Sequence, residues 1–177
     1  MRVGETEISL LRPESPEDLI DEDAFALDEF LPYWAELWPA ATALAAALPE
    51  VAGQRVVELG CGLGLPSLVA SARGAAVIAT DWAVAAIELL RSNAARNGLT
   101  LRSEVRDWRE PWDERFDLAL AADVLYERRN VEPLLARLRK LAPVALVGLA
   151  GRPYEAQFIK AAGDVDEIAE RVVRLTF

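Results

Sequence analysis

Apolar and polar positions divide the chain after residue 50 into short strand-like runs and longer helix-like segments. Apolar runs bounded by turn signals are typical of buried parallel strands. The predicted strands are residues 55–59, 76–80, 101–106, 117–121 and 144–149. Apolar residues at helical spacing predict helices over residues 66–73, 83–96, 131–141 and 154–162. This alternation predicts an α/β fold, a doubly wound and mostly parallel sheet with helices on both faces.

The segments on either side of this core are less regular. Pro39 fits the first position of a further helix that runs to Pro49, after the aromatic sequence LPYWAELW at residues 31–38. Residues 164–177 predict one or two final strands and hence a short C-terminal strand end. The chain has 177 residues, of which 53% are apolar, so we expect a single domain over residues 1–177.

Composition argues against several kinds of chemistry. Cys61 is the only cysteine and there is no histidine, which disfavours disulfides, ordinary zinc sites and a Ser-His-Asp triad. No metal site is therefore expected. No apolar run approaches the roughly 18 residues of a membrane-spanning helix, and the first residues lack a signal-peptide pattern. We expect a cytoplasmic protein without a membrane partner.

The net charge of −10 argues against a nucleic-acid partner. The charge is unevenly distributed, since residues 13–50 carry ten acidic side chains and no basic one. An acidic segment at about residues 13–31 therefore precedes the core. Two interpretations remain open for it: a solvated surface, or a surface that attracts a cationic protein substrate.

The sequence VVELGCGLG, residues 56–64, joins a predicted strand to a predicted helix through three alternate glycines. Glycine allows a tight turn and lets a ligand approach the backbone closely. The spacing G-x-G-x-G departs from the G-x-G-x-x-G of nicotinamide dinucleotide sites, because position 65 is leucine. A nicotinamide oxidoreductase is therefore disfavoured.

Acidic side chains stand at the ends of four successive predicted strands. They are Glu58, Asp81, Asp107 and Asp123. Ligands of open α/β sheets bind outside the carboxyl ends of the strands, where these side chains are expected. Asp81 follows the glycines by about 20 residues, a spacing that suits a carboxylate bound to ribose hydroxyls. The alternative for Asp81 is a helix N-cap.

Four short motifs resemble, in order and spacing, those of the seven-β-strand S-adenosylmethionine-dependent methyltransferases. They are ELGCGLG at residues 58–64, TDW at 80–82, RDW at 106–108 and ADVLY at 122–126. The sequence PYWAELWP at residues 32–39, with DVLY, is similar in particular to the protein-lysine methyltransferase branch that includes the electron-transfer-flavoprotein β-subunit enzymes. The likeness implies the Rossmann-like class I methyltransferase fold, S-adenosyl-L-methionine as cofactor, and transfer of methyl to a lysine side-chain nitrogen of a protein.

The resemblance also implies a cofactor site. The implied cofactor-binding residues are Trp38, Glu58, Gly60, Gly62, Gly64, Asp81, Trp82, Asp107, Trp108 and Asp123. The glycine turn, braced by Glu58, would pass under the methionine part of the cofactor. Asp81 would hold the ribose and Trp82 would pack on the adenine, with residues 107–108 at the adenine edge.

On the acceptor side, the resemblance implies Asp123 and Tyr126 as the catalytic residues. Asp123 would lie near the methionine amino group or the incoming nucleophile, and Tyr126 beside the transfer site. Trp38 would close the pocket, although Trp34 and Trp38 also suit a role as core anchors. Tyr126 likewise suits core packing.

Two other functions remain open. A small-molecule N- or O-methyltransferase would use the same core with a different acceptor pocket, and the short C-terminal end leaves the acceptor undetermined. A non-catalytic binding module would keep the fold without transfer.

Overall fold

The computed structural model describes residues 1–14 and 32–177. Most of the acidic segment lies outside the described residues, so both interpretations of that segment stay predictions. At the N-terminus, β1 (Arg2–Val3) and β2 (Thr6–Glu7) form an antiparallel hairpin. The sequence pattern did not indicate this hairpin, because two residues are too few to establish a strand period.

Within the part of the chain that the structure describes, seven further strands form one sheet. They are β3 (Arg55–Leu59), β4 (Ala76–Asp81), β5 (Arg102–Val105), β6 (Leu118–Ala122), β7 (Val144–Gly148), β8 (Val165–Ala169) and β9 (Val172–Thr176). Their order across the sheet is β5-β4-β3-β6-β7-β9-β8. Strands β3 to β7 pair in parallel, whereas β9 runs antiparallel to both β7 and β8. The five predicted strands are all present, with ends that differ from the prediction by at most one residue.

Helices cover both faces of the sheet. They are α1 (Pro39–Ala46), α2 (Leu65–Ala72), α3 (Val84–Arg96), α4 (Val131–Leu141) and α5 (Glu155–Ala162). Successive strand residues point to opposite faces, so Val56 packs in the apolar cluster with α1 to α3 and Val57 in the cluster with α4 and α5. The predicted doubly wound α/β fold is confirmed. Helix α1 ends at Ala46, short of the predicted end before Pro49.

The C-terminal end holds two five-residue strands, β8 and β9, in agreement with the one or two strands predicted for residues 164–177. Val172, Val173 and Leu175 of β9 are buried against the sheet. Strand β8 forms the edge of the sheet and is mostly exposed. Its acidic residues interrupt the alternation of apolar and polar positions that is typical of a strand. Among the described residues, none of the helices has the length and apolar character needed to cross a membrane.

Candidate active site

The carboxyl ends of β3, β4 and β6 open into a cleft of about 520 Å³. Strand β3 lies between β4 and β6, so the chain leaves β3 in one direction and later returns on the other side. Ligands of open α/β sheets bind at such a switch point. The predicted site residues in the walls of the cleft are Trp38, Glu58, Gly60, Gly62, Gly64, Asp81, Trp82, Trp108, Asp123 and Tyr126. The fold therefore brings together all of the predicted residues except Asp107.

Gly60 shows why the turn between β3 and α2 requires glycine. Its φ of +66° lies in the left-handed region, which residues with a side chain rarely adopt. A Cβ atom there would lie 2.8 Å from Val124 Cγ1 and 3.2 Å from Trp108 Cζ3. Gly62 and Gly64 also have positive φ. The turn therefore presents bare backbone to the cleft.

Asp81 anchors this turn from the end of β4. Its side chain is buried, and Oδ2 accepts a hydrogen bond from the Gly62 amide at 2.9 Å. Oδ1 accepts a hydrogen bond from the Ala83 amide at 3.0 Å. Ala83 is itself the N-cap of α3, so Asp81 does not have the N-cap position that the alternative interpretation gave it. Burial raises the pKa of Asp81, and the backbone hydrogen bonds oppose that increase.

Glu58 braces the other side of the turn. Its Oε2 accepts hydrogen bonds from the Ser67 amide at 3.0 Å and from the Ser67 hydroxyl at 2.5 Å, within α2. Burial raises the pKa of Glu58 to about 8, although both hydrogen bonds from Ser67 lower it. The folded protein therefore retains a proton on Glu58 that the unfolded chain releases near the ordinary value of 4.5.

This proton makes stability depend on pH in a defined direction. Because the pKa of Glu58 is raised in the folded state, its contribution to stability is fully present below pH 4.5 and is lost as pH rises through 8. Glu58→Gln keeps the shape of the side chain without titrating. We expect wild type to lose about 1 kcal/mol relative to this variant between pH 7 and pH 9. Urea unfolding at the two pH values measures the difference, and parallel losses in both proteins would contradict it.

The side of the cleft predicted for the adenine is aromatic. Trp82 is 46% exposed, whereas Trp108 is buried. Trp108 Nε1 is buried without a hydrogen-bond partner within the described ranges, so it remains available to donate to a ligand. Asp107 lies in an adjoining hollow of about 210 Å³ that both tryptophans also line. Its carboxylate accepts a hydrogen bond from Arg109 Nη1 at 3.1 Å, and its adenine contact stays a prediction.

Arg137 holds the loop that carries Trp108, and sequence reasoning missed it. This buried guanidinium on α4 donates to the carbonyl oxygens of Trp108, at 2.6 Å, and of Glu110 and Trp112. Its position between Leu134 and Leu141 was a signal, because residues three and four apart share a helix face and those leucines point to the core. An arginine on such a face needs buried acceptors.

Arg137→Met is expected to lower the free energy of unfolding by about 2 kcal/mol, since it leaves buried carbonyl oxygens without donors. Arg139→Met is the matched control on the same helix. Arg139 also donates to two carbonyl oxygens, those of Ala161 and Ala162, but it is exposed, so water can replace it. Equal losses in the two variants, measured by urea unfolding, would contradict a special role for Arg137.

The acceptor side of the cleft contains an ion pair that the sequence pattern did not indicate. Arg152 Nε donates to Asp123 Oδ1 at 2.7 Å, and Arg152 Nη2 donates to Asp123 Oδ2 at 2.8 Å. Asp123 follows β6 and Arg152 follows β7, and these strands are neighbours in the sheet. The Arg152 guanidinium also lies 5.4 Å from the ring centroid of Trp38.

Two tyrosines complete this side. The rings of Tyr33 and Tyr126 lie 5.5 Å apart between centroids, and Trp38 Nε1 donates to the Tyr33 carbonyl oxygen at 2.7 Å. Burial raises the pKa of Tyr126 to about 12, with further increases from Glu127 and Asp81. The phenol of Tyr126 is therefore a neutral hydrogen-bonding group at physiological pH.

Comparison with solved structures defines the class of the fold. The 16S rRNA N2 methyltransferase RsmC of T. thermophilus, in complex with AdoMet and guanosine, matches 80% of this chain and 43% of that chain with a TM-score of 0.64 at 23% identity. Magnesium protoporphyrin IX methyltransferase of Synechocystis with bound SAM covers 71% of this chain and 70% of that chain, with a TM-score of 0.63 at 19% identity. The sheet is that of the Rossmann-like class I methyltransferases.

Sequence comparison defines the family within this class. The sequence profile of the lysine methyltransferase family matches residues 34–161, and the chain belongs to that family. The electron transfer flavoprotein beta subunit lysine methyltransferase of Danio rerio is 33% identical over 142 residues, which cover 72% of this chain and 52% of the relative. The protein N-lysine methyltransferase METTL21A of Mus musculus is 36% identical over 120 residues, which cover 60% of this chain and 55% of the relative. The chain thus spans about half the length of these relatives. The predicted resemblance is confirmed.

Proposed function

We propose that this chain is an S-adenosylmethionine-dependent methyltransferase that methylates lysine side chains of a protein. The observation that carries the proposal is the cleft at the carboxyl ends of β3, β4 and β6. At the end of β4, Asp81 accepts a hydrogen bond from Gly62 of the glycine turn and is the residue that would bind the ribose. Membership in the lysine methyltransferase family supports lysine as the acceptor.

The residues present fit the cofactor. Asp81 is buried beside the turn, and each of its oxygens keeps a second lone pair that can accept from a ribose hydroxyl. Gly60 lines the cleft without a side chain, and Val124 and Trp108 pack so closely against it that a Cβ there would lie 2.8 Å from Val124 Cγ1. Trp108 Nε1 is a buried donor that has no partner among residues 1–14 and 32–177, and it lies on the side assigned to the adenine.

Chemistry at this site would require alignment rather than a strong base. When bound, S-adenosylmethionine supplies a sulfonium methyl group, which an amine lone pair takes as the carbon–sulfur bond breaks to leave S-adenosylhomocysteine. The amine must arrive without its proton, which costs roughly 5 kcal/mol at pH 7 for a lysine of ordinary pKa. Asp123 and Tyr126 would orient the nitrogen, and the aromatic walls would exclude water.

The test is incubation of the purified protein with a whole cell lysate, which retains its small molecules, and with methyl-labelled S-adenosylmethionine, followed by separation of macromolecules from small molecules. A reaction without the purified protein measures the labelling by the lysate's own enzymes. We expect label in protein. A new labelled small molecule, distinct from the labelled cofactor, without label in protein would favour the alternative small-molecule N- or O-methyltransferase. Cofactor binding without any labelled product would favour the non-catalytic module.

Other properties remain predictions from the sequence. The cytoplasmic location, the lack of a nucleic-acid partner and the attraction of a cationic substrate by the acidic segment belong to this group.

If the acidic segment steers a cationic protein, kcat/KM should fall as salt is raised, because the screening length shortens from about 10 Å at 0.1 M to about 3 Å at 1 M.

A further inference from the structure

The Asp123 carboxylate is already occupied by a cation of the protein itself. Its side chain is 1% exposed, and both of its oxygens accept from the same guanidinium, that of Arg152. The backbone at Asp123 has a φ of +51°, an unusual value for a residue other than glycine. The side chain of Arg152 is 32% exposed and extends along the wall of the cleft beside Trp38.

The turn after β7 holds Arg152 in this position. Glu155, in the first turn of α5, accepts hydrogen bonds from the amides of Ala150 at 2.7 Å and Gly151 at 3.1 Å. Among the described residues, the other carboxyl and guanidinium groups in the walls of the cleft belong to Glu36, Glu58, Asp81, Glu127 and Arg129, and Glu58 retains its proton near neutral pH. Glu127 and Arg129 form their own ion pair. Arg152 is therefore the cation that balances Asp123 within the cleft.

We propose that Arg152 is a specificity-determining residue that cancels the charge of Asp123, so that the cleft receives the acceptor nitrogen as a neutral amine rather than as an ammonium. This inference rests on the proposed function. An unpaired Asp123 would attract the ammonium form, which has no lone pair to form the new bond. With Arg152 in place, the free lone pairs of Asp123 can still orient an N–H group without favouring a positive charge.

The proposal can be tested without knowing the acceptor, by comparing two cofactor analogues that differ in charge at the transfer position. S-adenosylhomocysteine is neutral there, whereas sinefungin carries an amine in place of the sulfonium methyl. The readout is the ratio of their dissociation constants, measured by calorimetry at pH 8. A general loss of structure would weaken both ligands, so it would leave this ratio unchanged.

Arg152→Met should raise the preference for sinefungin over S-adenosylhomocysteine by about tenfold or more. The reason is that a nearby opposite charge raises the pKa of an amine by about one to three units, and each unit corresponds to about tenfold in affinity for the protonated form. Asp123→Asn should change the ratio in the opposite direction by a similar factor, since Arg152 is then unbalanced. The double variant should return to within about threefold of wild type, because it removes both members of the pair and leaves neither charge unbalanced. Arg152→Lys, which keeps the charge without the forked geometry, should also stay near wild type.

An unchanged ratio in either folded single variant would overturn the proposal. An equal loss of affinity for both ligands in Arg152→Met would also overturn the proposal, because Arg152 would then bind a group that the two ligands share. If Arg152→Met does not fold, Asp123→Asn and the double variant decide. Failure of wild type to bind either ligand would refute the proposed function itself. The predicted ratios without any labelled protein would refute only the lysine acceptor and leave the charge balance standing.

Discussion

Replacing Asp81 by alanine is expected to weaken binding of both S-adenosylmethionine and S-adenosylhomocysteine by about 10- to 150-fold, the loss of charge-assisted hydrogen bonds worth roughly 1.5 to 3 kcal/mol. The ribose hydroxyls would lose the carboxylate that we expect them to bind. The amides of Gly62 and Ala83 would also lose the acceptor that fixes the turn. Calorimetry with either ligand measures the effect.

Asp117→Ala provides the matched control. Asp117 also accepts a backbone hydrogen bond at a strand, from the Arg55 amide at 2.7 Å, but it stands just before β6, at the opposite end of the sheet from the cleft. Its removal should leave cofactor affinity unchanged. Unchanged affinity in a folded Asp81→Ala protein would remove the ribose assignment.

Asp123→Asn is expected to lower turnover at least about 100-fold while the dissociation constant of S-adenosylhomocysteine changes by less than about threefold. A displacement of the acceptor nitrogen by about 1 Å is enough to lower turnover by this factor. The asparagine keeps the shape of the side chain, but it breaks the balanced pair with Arg152. Single-turnover rates of methyl transfer to the protein acceptor measure the loss of turnover, and calorimetry measures the affinity for S-adenosylhomocysteine.

Tyr126→Phe is the companion variant, because it removes a neutral hydroxyl from the same side of the cleft. It should lower turnover by a smaller factor and leave cofactor affinity intact. If Asp123→Asn lost affinity for S-adenosylhomocysteine in proportion to turnover, Asp123 would belong to the cofactor side. The sequence had left both positions open for this residue.

Strands with uniform apolar runs could be located from the sequence to within one residue. Strand β6 is an example, since all five of its residues, Leu118–Ala122, are apolar and the first four are buried. The bounds of strand β8 could not be located in this way, although one or two strands were predicted for residues 164–177. It lies at the edge of the sheet, where exposed acidic residues are tolerated because only one side pairs.

The site shows a similar division. The glycine turn and Asp81 are close in sequence to the strands that position them, so their convergence followed from the alternation of strands and helices. Arg152 did not follow, because it meets Asp123 across 29 residues and the pairing depends on β6 and β7 being neighbours. Arg137 resembled a surface arginine of an amphipathic helix, and only its place on the buried face distinguishes it.

The most direct test of the central claim is identification of the methylated amino acid. The labelled protein from the lysate reaction is hydrolysed completely, and the labelled residue is separated and identified by mass spectrometry. We expect label in ε-N-methylated lysine, reduced at least about 100-fold when the Asp123→Asn protein replaces wild type. Label in methylated arginine or in another residue, or equal label with the Asp123→Asn protein, would contradict the central claim.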